Sequence, residues 1–242
     1  MVTNQRVFLE KMHYALGWAF FYMVTRHYIN YIIKGEENLP EEASILVANH
    51  ACPIDGILIS SKLHKQVHFF VQYENIYNTT MGKLLNIAGE IFVKTDGRDK
   101  AGIKKAVQYL KKTKDYVAIF PEGPTKDLYK ERSYSGSVFL SNMTGKKIIP
   151  IGISIPEKDS DFLNEIGGLN SLSLTKFIKE YYKRDKIEKL DYYINIGQPV
   201  SVSINEENKE KRKMKLEEIT DYLINECYML SKEVTYKQDK YV

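Results

Sequence analysis

Short uninterrupted apolar runs are the strongest constraint on what this chain can fold into. Residues 44–48 (SILVA), 68–71 (HFFV) and 116–120 (YVAIF) are too short to be helices that bury a face, and each reads as a strand. Residues 90–93 (EIFV) form another such run, residues 147–155 a longer one interrupted by Pro150 and Gly152, and residues 192–197 a late one ending at Gly197-Gln198-Pro199. Between the strands the period changes. Residues 100–114 place Ile103, Ala106, Val107 and Leu110 at i, i+3, i+4 and i+7, with lysines on the remaining faces, which predicts an amphipathic helix. Residues 80–88 and 136–144 read as helices too, the second closed by Gly145. Strands alternating with helices predict an α/β fold: a mixed, largely parallel central sheet flanked by helices. In such sheets a ligand crevice lies at the carboxyl ends of the strands.

Two predicted strands end in residues suited to chemistry. The run 44–48 leads into Asn49-His50-Ala51-Cys52-Pro53-Ile54-Asp55, where Pro53 suits the first position of a helix. In one unbroken helix, residues five apart are rotated by about 140°. His50 and Asp55 therefore meet only if His50 lies in the loop before the helix, and a proline downstream favours that geometry. A histidine oriented by a carboxylate is a general base held in one tautomer. The spacing alone is equally compatible with a loop and a helix-capping aspartate. Cys52 is a rival nucleophile by residue type, with no orienting group marked for it and buried filler as its alternative role. The run 116–120 leads into Pro121-Glu122-Gly123-Pro124-Thr125-Lys126, a carboxylate in a constrained turn with a hydroxyl and a cation behind it. A tight turn with a solvated glutamate is the plainer reading. Lys94 ends a third strand, with Arg98 close behind.

The N-terminal stretch 14–24 (YALGWAFFYMV) is the most apolar in the chain, and its uncharged run is well short of the ~20 residues of a bilayer span. Its aromatics, with Tyr28 and Tyr31 beyond, predict contact with a membrane interface; an ordinary helix packed on the core is the alternative. The segment 211–232 is periodic and predicts a surface helix. Its basic start suits either solvent or anionic lipid. The expected organisation is an N-terminal membrane-contact segment over 1–34, an α/β domain over 35–202 and a C-terminal helix over 203–242.

Composition narrows the partners. Of 242 residues 43% are hydrophobic, enough for a substantial core, and the net charge of +4 suits an anionic surface or a phosphate-bearing ligand. No basic-aromatic signature points to nucleic acid, so none is expected as a partner. The two cysteines, Cys52 and Cys227, have no metal-type spacing and suggest a reducing, cytoplasmic setting. No metal is expected, and no cleavable signal peptide.

Taken in order, Asn-His-x-x-x-x-Asp at 49–55, Gly-x-Ile-Phe-Val-Lys at 89–94, Phe-Pro-Glu-Gly at 120–123 and Ile-Ile-Pro-Ile-Gly at 148–152 resemble the four blocks of the glycerolipid acyltransferase family, the lysophosphatidic acid acyltransferases and their relatives. The resemblance covers residues 35–200. It implies transfer of a fatty acyl group from acyl-CoA or acyl carrier protein, as co-substrate rather than cofactor, to a lysophospholipid hydroxyl at a membrane. Under it His50 is the general base and Asp55 its orienting carboxylate. Lys94, Arg98, Glu122, Gly123, Thr125 and Lys126 are drawn to the acceptor, and Pro150 shapes the acyl-donor side. Peripheral or monotopic attachment to the cytoplasmic face follows. The family's third block continues Thr-Arg-Ser after its glycine; here Pro124, Thr125 and Lys126 follow, so a lysine or Arg98 stands in for an arginine with different phosphate-gripping geometry. A thioester or lipid hydrolase using the same crevice and a non-catalytic lipid-binding relative are the competing functions.

Overall fold

A computed structural model describes residues 4–63, 65–94, 100–123, 135–166, 179–184 and 188–235. Seven strands form one sheet: β1 (Ile29–Lys34), β2 (Ile45–Ala48), β3 (Val67–Gln72), β4 (Ile91–Val93), β5 (Tyr116–Ile119), β6 (Ile148–Ser154) and β7 (Leu190–Ile196). Their order is β1-β7-β6-β2-β5-β3-β4, and every neighbouring pair is parallel except β6 with β7. The mixed, largely parallel sheet expected from the alternation is present. The described helices are α1 (Asn4–Tyr28), α2 (Asp55–Ser60), α3 (Tyr73–Ile76), α4 (Thr80–Ile87), α5 (Lys100–Lys112), α6 (Gly136–Thr144), α7 (Glu157–Ile166) and α8 (Lys209–Thr235).

The central strands are apolar on both sides because both faces of the sheet are covered. In β2, Leu46 and Ala48 point into a core shared with Leu58 and Ile59 of α2, while Ile45 and Val47 point into a second core with Ala106, Leu110, Val138 and Leu223. Tyr116 and Ala118 of β5 join the first core and Val117 and Ile119 the second, as the two-residue period of a strand requires. Ala106 and Leu110 are the buried ridge of α5, with Ile103 and Val107 packed beside it.

Three details differ from the sequence expectation. Residues 29–34, grouped with the N-terminal segment, form edge strand β1 beside β7, so the sheet begins before residue 35. Helix α2 starts at Asp55, and Pro53 and Ile54 belong to the turn before it. Strand β6 runs unbroken through Pro150 and Gly152. Pro150 is accommodated because the antiparallel register slips there: Ile148 bridges Val200, whereas Ile151 opposes Ile196, so the ladder needs no N–H at residue 150. Its carbonyl still accepts from Gly197 N at 2.8 Å. Gly152 admits α8 against the sheet, since a Cβ there would lie 2.2 Å from Ser231 N and 2.5 Å from the Leu230 carbonyl carbon.

Candidate active site

The carboxyl ends of β2 and β5 are adjacent, and each releases a loop that carries a candidate group. After β2, Asn49 extends the sheet with its side chain: Nδ2 donates to Ile153 O at 2.9 Å, and Oδ1 accepts from Ile153 N at 2.7 Å. This two-point clamp to β6 sets where the chain leaves the strand. His50 follows in the loop, as its pairing with Asp55 requires, and its Nδ1 lies 2.6 Å from Asp55 Oδ2. The same oxygen accepts from Ala51 N at 2.7 Å and Cys52 N at 2.8 Å. Asp55 is fully buried, whereas the His50 side chain keeps 16% of its surface exposed. Three donors on Oδ2 make the carboxylate the fixed member of the pair. With Nδ1–H donating to it, the lone pair of His50 is on Nε2, the nitrogen turned away from Asp55.

The imidazole lies flat on Phe120, with ring centroids 4.3 Å apart and 16° between planes. Phe120 opens the β5 loop, where Gly123 N donates to Phe120 O at 3.1 Å and Gly123 has φ +76°. That left-handed conformation favours glycine and turns the chain so that Glu122 faces the histidine loop. Glu122 Oε2 accepts from His50 N at 3.3 Å. Burial, and then the neighbouring Glu122 carboxylate, push the Tyr228 hydroxyl of α8 up, which places the C-terminal helix at the same crevice.

Of the other predicted residues, Lys94 is exposed just past β4, on the same end of the sheet but three strands from His50, about 14 Å at ~4.8 Å per strand. Pro150 is buried within β6, opposite Val47. Arg98, Thr125 and Lys126 lie outside the described residues. Cys52 is no nucleophile in this arrangement. Its Sγ is wholly buried and donates to Asp55 Oδ1 at 3.1 Å, and burial followed by the Asp55 charge pushes the thiol far up, keeping it protonated. Cys227 is likewise a buried free thiol, pushed up to about 12 by burial. Among the described residues no three His, Cys, Asp or Glu side chains converge as metal ligands. A second His–Asp pair, His68 and Asp115 at 3.5 Å, sits at the amino end of β3 with His68 buried, stacked on Tyr109 and away from the crevice.

Three features escaped the sequence reading. Tyr192, on β7, donates its hydroxyl to Asp55 Oδ1 at 2.7 Å across 137 residues. Asn49 acts as the clamp just described. Behind the histidine loop, a cavity of about 120 Å³ is lined by Trp18 of α1, Ile54 and Ile57 at α2, Phe69 and Val71 of β3, and Leu85 of α4. Its wall also includes Glu90, whose Oε2 accepts from Phe69 N; burial pushes this carboxyl up to about 8. Asn49 stands in the first sequence block, but its partner on β6, like those of Tyr192 and of the cavity wall, is distant in the chain and carries no local mark.

A buried carboxylate orienting a histidine whose second nitrogen is unbonded among the described residues, at the carboxyl edge of an α/β sheet, is an arrangement able to take a proton from a hydroxyl or water. The acyltransferase family model matches residues 30–154, from β1 through β6 and including all four sequence blocks, and the chain belongs to that family. A solved structure with the same architecture is that of PlsC, the 1-acyl-sn-glycerophosphate (LPA) acyltransferase of Thermotoga maritima. The two are 18% identical with a TM-score of 0.51 over 93% of this chain and 83% of that one. At that identity the likeness is one of fold. No curated protein sequence matches the chain.

Proposed function

We propose that this acyltransferase moves a fatty acyl group from acyl-CoA or acyl carrier protein to a hydroxyl of a lysophospholipid, with 1-acyl-glycerol-3-phosphate as acceptor and phosphatidic acid as product. The observation that carries the reading is the 2.6 Å contact of His50 Nδ1 with buried Asp55 at the end of β2. His50 Nε2 takes the proton of the acceptor hydroxyl as its oxygen attacks the thioester carbonyl. The tetrahedral intermediate collapses with cleavage of the C–S bond, and the imidazolium returns the proton to the leaving thiolate. Asp55 stabilises the imidazolium in between. Glu122 and Gly123 border the acceptor, Lys94, Arg98, Thr125 and Lys126 are assigned to its phosphate side, and Pro150 to the donor side. The apolar cavity under Ile54 and Ile57 suits the hydrocarbon of an acyl chain.

The test is a matrix of donors (acyl-CoA, acyl carrier protein) and acceptors (lysophosphatidate, its zwitterionic counterparts, monoacylglycerol), with thiol release followed and the lipid product identified by mass spectrometry. Phosphatidic acid is the expected product. Free fatty acid as the sole product identifies a hydrolase, and the absence of thiol release from any donor identifies a lipid-binding relative.

The same reading includes peripheral attachment to the cytoplasmic face of the membrane. Among the described residues no helix is long and apolar enough to cross a bilayer. Helix α1 is apolar on two sides. Tyr14, Trp18 and Thr25 face the body, while Met12, Leu16, Phe20 and Met23 are 40–70% exposed along the other side. Helix α4, which packs on α1, adds exposed Leu84 and Ile87. A row of this kind suits burial at the headgroup boundary. Replacing Leu16 and Met23 together with glutamate is expected to weaken partitioning onto phospholipid vesicles by about 100-fold, from ~1.5 kcal/mol or more per apolar side chain. Co-sedimentation measures it, and undiminished binding rules out this face as the docking surface.

A further inference from the structure

We propose that Tyr192 is a positioning residue for the His50–Asp55 base, acting through the carboxylate oxygen that His50 does not use. The proposal rests on the general-base role given to His50 above. The geometry divides Asp55 into two halves. Oδ2 takes His50 Nδ1 and the amides of Ala51 and Cys52, all donors from its own loop. Oδ1 takes the Tyr192 hydroxyl at 2.7 Å and the Cys52 thiol at 3.1 Å. Tyr192 is thus the one strong donor to Asp55 from outside the loop among the described residues, and it comes from a strand two removed from β2 in the sheet. It is completely buried, as is Asp55. Its ring packs edge-on against Tyr31, which neighbours it in register on β1, with centroids 5.9 Å apart. Tyr31 is in turn tied to Ser61 at the end of α2.

Two consequences follow. The hydroxyl fixes rotation of the carboxylate, so that Oδ2 stays aimed at His50. It also draws off part of the carboxylate's charge, which weakens the hold of Asp55 on a protonated imidazole. Burial, and then the Asp55 charge, push the Tyr192 hydroxyl far up, so it serves only as a donor. Among the described residues, the titratable groups within hydrogen-bond reach of Asp55 are His50, Cys52 and Tyr192. Tyr31 stands behind Tyr192, and Glu122 meets the backbone of His50.

The experiment compares the wild type, Tyr192→Phe and the control Tyr31→Phe, which keeps its ring and loses a hydroxyl that bonds Ser61 rather than Asp55. The first readout is the rate at which diethyl pyrocarbonate modifies His50 between about pH 5 and 9, followed by peptide mass spectrometry; it needs no activity. The second is the pH profile of kcat and KM. In Tyr192→Phe the midpoint of His50 modification and the acid limb of kcat are expected to move up by roughly half to one pH unit, and kcat at neutral pH to fall about tenfold with KM unchanged. Tyr31→Phe is expected to leave both where the wild type has them. If Tyr192→Phe lowers only the melting temperature and moves neither midpoint nor profile, Tyr192 merely fills space and the proposal is overturned. A shifted midpoint in a protein whose wild type transfers no acyl group upholds the Tyr192 coupling and overturns the acyltransferase mechanism instead.

Discussion

Replacing His50 with alanine is expected to lower kcat by roughly 1,000-fold or more, while the protein folds and unfolds almost as the wild type does. General-base assistance by a positioned histidine contributes ~100- to 10,000-fold, and among the described residues Nε2 is the one candidate base at the crevice oriented by a buried carboxylate. The imidazole is partly exposed and stacks on Phe120, so its removal leaves no cavity enclosed in the core. Asp55 Oδ2 keeps the Ala51 and Cys52 amides, so the carboxylate is not stranded. Asp55→Asn is the less clean variant. An asparagine has one acceptor oxygen for two sets of donors, and its amide must face either the loop N–H groups or the Tyr192 hydroxyl, so activity and stability fall together. The measurement is thiol release at saturating donor and acceptor beside a melting curve. Wild-type turnover in His50→Ala would remove the base from the mechanism.

The second large effect concerns stability rather than turnover. Glu90 is buried, its Oε2 accepts from Phe69 N, and Lys105 Nζ reaches its backbone carbonyl at 2.6 Å. Burial pushes the carboxyl from its ordinary 4.5 up to about 8, against the opposing pull of the Phe69 N–H and the Lys105 charge. The folded protein therefore holds a proton that the unfolded chain releases. Stability from this group is complete below pH 4.5 and is lost as pH rises through 8. At about 1.4 kcal/mol per pH unit the loss is on the order of 5 kcal/mol. Glu90→Gln keeps an oxygen for Phe69 N and has nothing to ionise. Urea unfolding at acid, neutral and mildly alkaline pH is expected to show the wild type weakening by several kcal/mol relative to this variant. Parallel pH dependences for the two proteins would mean that Glu90 is ionised in the fold already. A protonated Glu90 leaves the cavity wall uncharged at that point, in keeping with the acyl-chain pocket proposed above.

Much of this was legible one residue at a time. The runs at 44–48 and 116–120 are apolar without alternation, and they became the doubly covered strands β2 and β5. The rotation per helical residue excluded a single helix through His50 and Asp55, and the chain does break between them. The run 121–123 reads as a constrained turn, and Gly123 takes a positive φ there. By contrast, β1 hid in the tail of an aromatic stretch, because its strand character comes from pairing with β7, some 160 residues away. The apparent break at Pro150 vanished for a similar reason: whether a proline interrupts a strand depends on whether a neighbour needs its N–H.

Residue type, period and spacing thus determined the α/β class, the strand ends that bear His50 and Glu122, and the requirement that His50 precede its helix. These are local properties, governed by backbone sterics and by which side chains leave water together. The tertiary structure alone decided that β2 and β5 lie side by side, that Asn49 clamps onto β6, that Tyr192 reaches the far oxygen of Asp55, and that Glu90 is sealed into an apolar wall. Each of those is a contact between distant segments, and its energy exists only once the sheet order has brought both partners out of water.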